Sequence, residues 1–171
     1  MDIFFRALEP SDVEILYEWE NDRSIWRLGN TIVPFSKFIL EQYINNSHQD
    51  IYTAKQLRLM IDVNDKTNNL KTVGCIDLFD FDPVNMRAGI GILIDKGNRG
   101  KGFALKALKN LIEYAFDVLN LHQLYCNITV DNKSSIDLFK QVNFEIVGLK
   151  KQWRKNKDSW IDEYMLQLIN D

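Results

Sequence analysis

The sequence predicts one α/β (α+β) domain in which about four helices cover a mixed, mostly antiparallel sheet of about seven strands. Its 171 residues are 46% hydrophobic, enough for a single core without disulfides or metals. Short alternating or apolar runs indicate strands, and apolar residues recur elsewhere at helical spacing. No repeat or Pro/Gly/Ser-rich linker interrupts the pattern, so residues 1–171 are expected to fold as one domain.

The first half of the chain is predicted to contain a strand, two helices and three more strands. The strand at 3–8 precedes a helix whose Ser11 and Glu14 have capping-box spacing. A second helix is expected at 36–46. The next three strand-like runs lie around 55–63, 72–81 and 88–95. Because the connections between them are short, such as the polar turn at 64–69, an antiparallel meander is expected.

The second half alternates helices and strands. The clearest helix is expected at about 104–118, where Ala104, Leu108 and Leu111 recur at helical spacing. The elements expected after it are a strand at 123–130, a helix at 132–141, and strands at 144–154 and 159–168.

Composition argues against several classes of function. The net charge is −3, from 21 basic and 24 acidic side chains, which disfavours nucleic acid and anionic membranes as partners. Cys75 and Cys126 lie in apolar runs without CxxC spacing, so both are expected to be buried thiols, and no metal site is expected. The N-terminus does not read as a signal peptide, and no apolar run approaches the roughly 20 residues that span a bilayer. We therefore expect a cytoplasmic protein.

The segment 95–104 carries the strongest functional signal. It joins an apolar strand to the clearest helix and contains Gly97, Gly100 and Gly102. The first N–H groups of a helix lack partners and carry partial positive charge, so a glycine turn there can accept a phosphate. Arg99 and Lys101 would add positive charge beside it. This pattern predicts an anion site at the start of the helix.

The spacing within this segment separates the phosphate-binding families. A P-loop needs GxxxxGK[ST], but Phe103 follows Gly102, and a dinucleotide fingerprint would need glycine at Leu105. What remains, Arg99-x-x-Gly102-x-Ala104, resembles the R/Q-x-x-G-x-G/A motif that cradles the coenzyme A pyrophosphate in GNAT acetyltransferases. Taken alone, the motif could also be a helix that happens to begin with glycines and basic residues.

Three further segments carry the same resemblance, so that it covers nearly the whole chain. Residues 132–144 resemble the family's N-x-x-[AS]-x-x-L-[YF]-x-x-x-G-F motif, residues 5–12 its opening, and residues 160–166 its closing hairpin. The chain looks closest to the branch that contains spermidine and ribosomal-protein alanine acetyltransferases. The resemblance implies acetyl-CoA as cosubstrate, without a metal. The residues expected to contact it are Ile92, Leu93, Ile94, Arg99, Gly100, Lys101, Gly102, Phe103, Ala104, Asn132, Ser135 and Phe139.

The resemblance also implies a mechanism, from which this sequence departs twice. The sheet is expected to open between its fourth and fifth strands, where a backbone N–H near Ile92 or Leu93, assigned to Leu93, would stabilise the oxyanion. The position that often holds the catalytic glutamate is Gly89. Asp77 is assigned as the replacement base, with a solvated strand face as the alternative role. Other carboxylates considered for the base are those of Asp80 and Asp82.

The second departure concerns the acid that would protonate the departing thiolate. The usual tyrosine is replaced by Phe139, whose ring has no ionisable hydrogen. A general acid is typically worth roughly 10²–10⁴ in rate, so its loss would slow the reaction without abolishing it. The groups considered as substitutes are Ser134, Ser135, Tyr125 and water.

The acceptor is expected to be an amine, and its identity stays open between a polyamine such as spermidine, a protein N-terminus and another small amine. Glu18, Trp19, Trp26 and Asp77 are the predicted acceptor contacts, because acidic groups and indole faces attract cations. An ordinary helix surface with core tryptophans is the alternative. The segment 29–33 lacks the acidic pair found in polyamine acetyltransferases, which weakens the spermidine assignment.

Two other functions remain as alternatives to catalysis. Gly89 and Phe139 stand where catalytic groups usually lie, which would suit a non-catalytic acetyl-CoA-binding module. A scaffold would bind no coenzyme at all. The exposed strand edges of such a sheet would also suit a homodimer.

Overall fold

The computed structural model describes residues 2–26, 31–64 and 69–170. Residues 27–30, which fall in the segment predicted to be irregular, and 65–68, in the predicted polar turn, lie outside the described residues. Across the described residues, no helix has the length and apolar character that a bilayer crossing requires.

The secondary structure follows the predicted order. The elements are β1 (Ile3–Arg6), α1 (Val13–Glu20), α2 (Arg23–Trp26), α3 (Lys37–Asn45), α4 (Ile51–Ala54), β2 (Leu57–Asn64), β3 (Leu70–Asp82), β4 (Arg87–Ile94), α5 (Phe103–Glu113), β5 (Gln123–Thr129), α6 (Lys133–Lys140), β6 (Glu145–Asn156) and β7 (Ser159–Ile169). Within the described ranges, α2 and α4 are additional to the four predicted helices. Each is one turn long, too short for apolar periodicity to reveal.

The strands form one seven-stranded sheet in the order β1-β2-β3-β4-β5-β7-β6. All neighbours are antiparallel except β4 and β5, which are parallel. Their pairing runs from Arg87 opposite Gln123 to Gly89 opposite Tyr125 and goes no further. The rest of β4 therefore lies beside an opening in the sheet, as expected, and the predicted mixed α/β fold is confirmed.

The two faces of the sheet bury different cores because side chains alternate along a strand. Ile76, Leu78 and Ile90 face α5 and α6 in the larger core. Met60 and Cys75 point the other way and pack with residues of α1 and α3. Both cysteine thiols are buried and free, as predicted.

The capping prediction for the first helix is wrong. The helical segment starts earlier, with a 3₁₀ turn at Pro10–Asp12. Asp12, rather than Ser11, accepts the backbone N–H of Glu9 at 2.8 Å. Glu14 instead accepts hydrogen bonds from the Lys37 ammonium at 2.7 Å, an exposed contact across the surface.

Candidate active site

The backbone of β4 offers hydrogen-bonding groups to the opening. The N–H of Asp95 bonds to the carbonyl of Val73 on β3 at 2.8 Å, and the register from Gly89 to Ile94 is regular. Backbone groups alternate direction along a strand, so those of Leu93 point toward β3 and those of Ile92 point toward the opening. The alternation thus favours Ile92 over Leu93 as the oxyanion donor, and corrects the assignment to Leu93.

The start of α5 has space for an anion. Gly100 and Gly102 have φ values of 75° and 81°, in the left-handed region that favours glycine. A Cβ atom added at either residue would meet nothing within 4 Å. Gly102 is the N-cap and has no side chain to bond the first helical N–H groups. These unpaired donors beside open space fit the pyrophosphate of coenzyme A.

The loop before α5 is held by its own polar groups. The carboxylate of Asp95 accepts from the N–H of Gly97 at 3.2 Å and from Asn98 Nδ2 at 2.9 Å. The Lys101 ammonium donates to the Gly97 carbonyl and to Asn98 Oδ1, both at 2.9 Å. Arg99 Nε donates to the carbonyl of Ile94 at 3.0 Å. The lysine thus braces the loop in this conformation, and the main chain and the exposed Arg99 guanidinium are left as anion donors.

The position of Gly89 has no room for a glutamate side chain. A Cβ atom at Gly89 would lie 2.2 Å from Cε2 of Phe79, which is opposite it on β3. The phenyl ring therefore occupies the place where the usual catalytic carboxylate would begin. Phe79 also packs edge to face against Tyr125, with ring centroids 6.0 Å apart. No sequence pattern indicates this role of Phe79, because only the strand register brings the ring beside Gly89.

Asp77 is engaged in an ion pair. Arg58 of β2 donates to both of its carboxylate oxygens, at 2.6 and 3.1 Å, and to Glu20 of α1 at 2.7 Å. Burial is the largest single influence and lowers the pKa of Arg58, but the charge and hydrogen bond of Asp77, together with neighbouring groups, raise it well above its usual value. Asp77 is thus neither a solvated surface group nor a carboxylate with free oxygens.

The predicted acceptor contacts are not brought together as a set. Trp19 is only 6% exposed and belongs to the core between α1, α3 and the sheet, which leaves little ring face for a ligand. Trp26 is half-buried, and its indole N–H donates to the Glu20 carbonyl at 2.6 Å. Glu18 is exposed on α1. Residues 29 and 30 of the uncharged 29–33 segment lie outside the described residues, as do residues 27 and 28.

The predicted contacts on α6 have mainly structural partners. Asn132 is the N-cap, and its side chain accepts the N–H of Ser135 at 3.3 Å. Phe139 is 4% exposed and packs edge to face against Phe144 at 5.1 Å. Little of the Phe139 ring is therefore available to contact a coenzyme.

A carboxylate and a phenol meet at the closed end of the opening, which is the point where the β4–β5 pairing ends at Gly89 and Tyr125. Tyr125 Oη donates to Asp80 Oδ2 at 3.2 Å. Burial and the charge of Asp80 raise the pKa of Tyr125 to about 12, so the phenol is protonated at neutral pH. Both residues were among the candidates named from sequence, but their contact depends on the pairing of strands far apart in the chain.

Over residues 2–26, 31–64 and 69–170, no group of three or more His, Cys, Asp or Glu side chains is arranged to hold a metal ion.

A mixed sheet that opens beside a helix N-terminus with room for an anion is the arrangement that the resemblance to coenzyme A-dependent acetyltransferases predicts. The family model described as "Acetyltransferase (GNAT) domain" matches residues 2–145. The chain belongs to this GNAT acetyltransferase family, and the resemblance drawn from its motifs is confirmed.

The relatives agree with this assignment. Spermidine N(1)-acetyltransferase of Vibrio cholerae is 27% identical over 139 residues, covering 81% of this chain and 76% of that protein. YdaF of Bacillus subtilis, named as a candidate ribosomal N-acetyltransferase, is 32% identical over 152 residues, covering 83% of this chain and 77% of that protein. The crystal structure of the Vibrio cholerae spermidine N-acetyltransferase with CoA and spermine superposes with a TM-score of 0.85 at 24% identity, covering 98% of this chain and 95% of that one.

Proposed function

We propose that this protein, as one domain over residues 1–171, transfers the acetyl group of acetyl-CoA to an amine by direct attack in a ternary complex. The observation that carries the proposal is the end of the β4–β5 pairing at Gly89, next to the glycine turn at the start of α5. The turn can hold the pyrophosphate, and the opening can take the pantetheine arm beside the free backbone of β4.

The residues of this chain divide the work of positioning and charge stabilisation. Gly100 and Gly102 let a phosphate approach the N-terminus of α5, where unpaired N–H groups bind it. The Ile92 N–H, which faces the opening, would donate to the thioester oxygen as negative charge develops there. When bound, acetyl-CoA supplies the acetyl group and a thiolate leaving group.

The acceptor is proposed to be an amine of one of two kinds, a polyamine such as spermidine or a protein N-terminus. The similarity to the Vibrio cholerae and Bacillus subtilis proteins supports each. On the face of the sheet that α1 and α3 cover, the carboxylates of Glu20 and Asp77 do not favour a polyamine strongly, because Arg58 already pairs with both of them. A cationic chain would have to compete with an arginine for those carboxylates.

The test is release of free thiol from acetyl-CoA by the purified protein, with polyamines, N-terminal peptides and amine antibiotics as acceptors. Calorimetric titration with coenzyme A runs in parallel. Turnover with one acceptor class is the expected result and identifies that class. Tight coenzyme binding without turnover would instead support the non-catalytic module, and absence of both would contradict the assignment of the glycine turn.

A further inference from the structure

We propose that Asp80 takes the proton from the acceptor amine and that Tyr125 positions its carboxylate. This inference rests on the proposed acetyl transfer and adds the base that Gly89 cannot supply. It concerns the closed end of the opening, where Gly89 and Tyr125 form the last pair between β4 and β5.

A β-bulge turns Asp80 toward this site. Phe79 lies opposite Gly89 and Asp82 opposite Arg87, so β3 contains one more residue than β4 between these pairs. Asp80 has a φ of 49°, a left-handed conformation that costs energy for most residues but is tolerated by Asp and Asn. In a regular strand, the Asp80 side chain would lie on the opposite face of the sheet from the Phe79 side chain. Bulges commonly re-aim a side chain beside an active site.

The bulge keeps the core intact while it places Asp80 outside it. Phe81 takes the buried position on the α5 face, at 4% exposure, and its N–H bonds to the Lys55 carbonyl at 3.0 Å. Asp80 is exposed and reaches the hydroxyl of Tyr125 at 3.2 Å. The strained backbone at Asp80 therefore has a consequence for chemistry, because it brings a carboxylate to the end of the opening.

The surroundings leave Asp80 able to accept a proton. Its Oδ2 bonds a neutral phenol, whereas both oxygens of Asp77 are held by Arg58. The nearest basic side chain on β4, Arg87, pairs with Asp82 at 3.2 Å. Between the side chains that the structure describes, no salt bridge to Asp80 occurs.

The proposed reaction conserves protons and electrons. The acceptor ammonium gives one proton to the Asp80 carboxylate, and the nitrogen lone pair then forms the C–N bond to the thioester carbon. The carbonyl π pair moves to oxygen and returns as the C–S bond breaks, with its electrons leaving on sulfur. The second nitrogen proton passes to the thiolate, and Asp80 releases its proton to water. One amide, one free thiol and one proton result.

The first test compares Asp80→Asn with wild type in the thiol-release assay, using the best acceptor. Asn keeps the size and tolerates the left-handed backbone but cannot take a proton, so kcat should fall about 10²–10⁴-fold, the usual effect of a general base. Coenzyme A affinity should be unchanged. Asp158→Asn, the same change in the exposed β6–β7 turn, is the matched control and should retain wild-type turnover.

The pH dependence separates a catalytic from a structural effect. In the wild-type enzyme, the rate should become independent of pH at pH values below the acceptor's pKa, because Asp80 can deprotonate the bound ammonium form. In Asp80→Asn only free amine reacts, so the rate should rise tenfold per pH unit up to about 10.4 for a lysine-like amine. Asp80→Gly should recover activity when formate is added. Tyr125→Phe should lower kcat less than Asp80→Asn does and leave the profile's shape unchanged.

The outcomes distinguish this inference from the function on which it rests. Wild-type turnover with an unaffected Asp80→Asn variant would overturn the role of Asp80 and leave acetyl transfer standing. A lower rate with an unchanged pH profile and no recovery with formate would also overturn it. Absence of wild-type turnover with every amine would overturn both proposals.

Discussion

At the scale of single residues, two glycines of this protein have opposite surroundings. A Cβ atom at Gly89 would lie 2.2 Å from the Phe79 ring, so the fold leaves no room for a side chain at this position. At Gly102 the same atom would meet nothing within 4 Å. The space beside Gly102 is therefore free for a ligand, whereas the space beside Gly89 is already filled by the protein.

Gly102→Asn should weaken coenzyme A binding by at least tenfold while the protein stays folded. Asn tolerates the left-handed conformation that Gly102 adopts, with a φ of 81°, so the added side chain acts mainly by occupying the anion site. Calorimetric titration with coenzyme A measures the affinity, and circular dichroism checks the fold.

Gly148→Asn is the matched control for this variant. Gly148 lies on the edge strand β6, and a Cβ atom there also meets nothing within 4 Å. The control should bind coenzyme A as wild type does. Equal affinity in a folded Gly102→Asn variant would remove the glycine turn from the proposed site.

At the scale of secondary-structure elements, a polar network joins β1, β2, β3 and the start of α1. Arg6 donates to Asp12 at 2.7 and 2.8 Å and to Asp62 at 2.8 Å. Thr72 of β3 donates to Asp62 at 2.7 Å. Burial by itself would raise the pKa of Asp12, but the hydrogen bonds from Arg6 and from the Glu9 N–H outweigh it and lower the pKa.

Asp12→Asn should lower the free energy of unfolding by about 2 kcal/mol at pH 7, less than for a fully buried pair because Arg6 is partly exposed. The pKa of Asp12 is lowered by folding, so its contribution is fully present above the unfolded value of about 3.9 and is lost as the pH falls through the folded pKa. The difference between variant and wild type should therefore shrink in acid.

Urea unfolding at pH 7, 5 and 3 measures this difference. Glu18→Gln, which removes an exposed carboxylate on α1, serves as the control and should stay within about 0.5 kcal/mol of wild type at neutral pH. A difference for Asp12→Asn that does not change with pH would show that its ion pair with Arg6 is not the cause.

At the scale of the whole molecule, the sheet ends in two unlike edge strands. β1 is short, whereas β6 runs from Glu145 to Asn156 and exposes apolar side chains. Val147 and Leu149 are 51% and 47% exposed, and Trp153 is 60% exposed. Exposed apolar edge strands are common sites of association between chains. We therefore propose a homodimer that covers this part of β6.

Leu149→Lys should convert the dimer into a monomer, because a charge would be buried without a partner at the contact. Light scattering after size exclusion at several concentrations measures the mass. Val84→Lys, at a turn residue that is 88% exposed, is the control and should leave the mass unchanged. A monomeric wild-type protein would contradict the proposed dimer.

Patterns in the sequence were enough to predict the fold class, the order of the long elements and the position of the glycine turn. Each of these depends on local information: apolar spacing for α5, alternation for the strands, and glycines at a strand-to-helix junction. The one-turn helices α2 and α4 escaped prediction because four residues carry no period. The predicted Ser11–Glu14 capping box is wrong because the helical segment begins at Pro10, where Glu9 and Asp12 form the capping box instead.

Which side chains meet at the opening depends on the three-dimensional pairing of the strands. Phe79 fills the space beside Gly89 because β3 and β4 pair in that register, and Arg58 reaches Asp77 from a neighbouring strand. Asp80 reaches Tyr125 across 45 positions of sequence, and only a bulge turns it there. A sequence pattern shows which chemistry each residue can perform, but contacts between distant strands depend on their register. A shift of one residue in that register would move every side chain of the strand to the opposite face of the sheet.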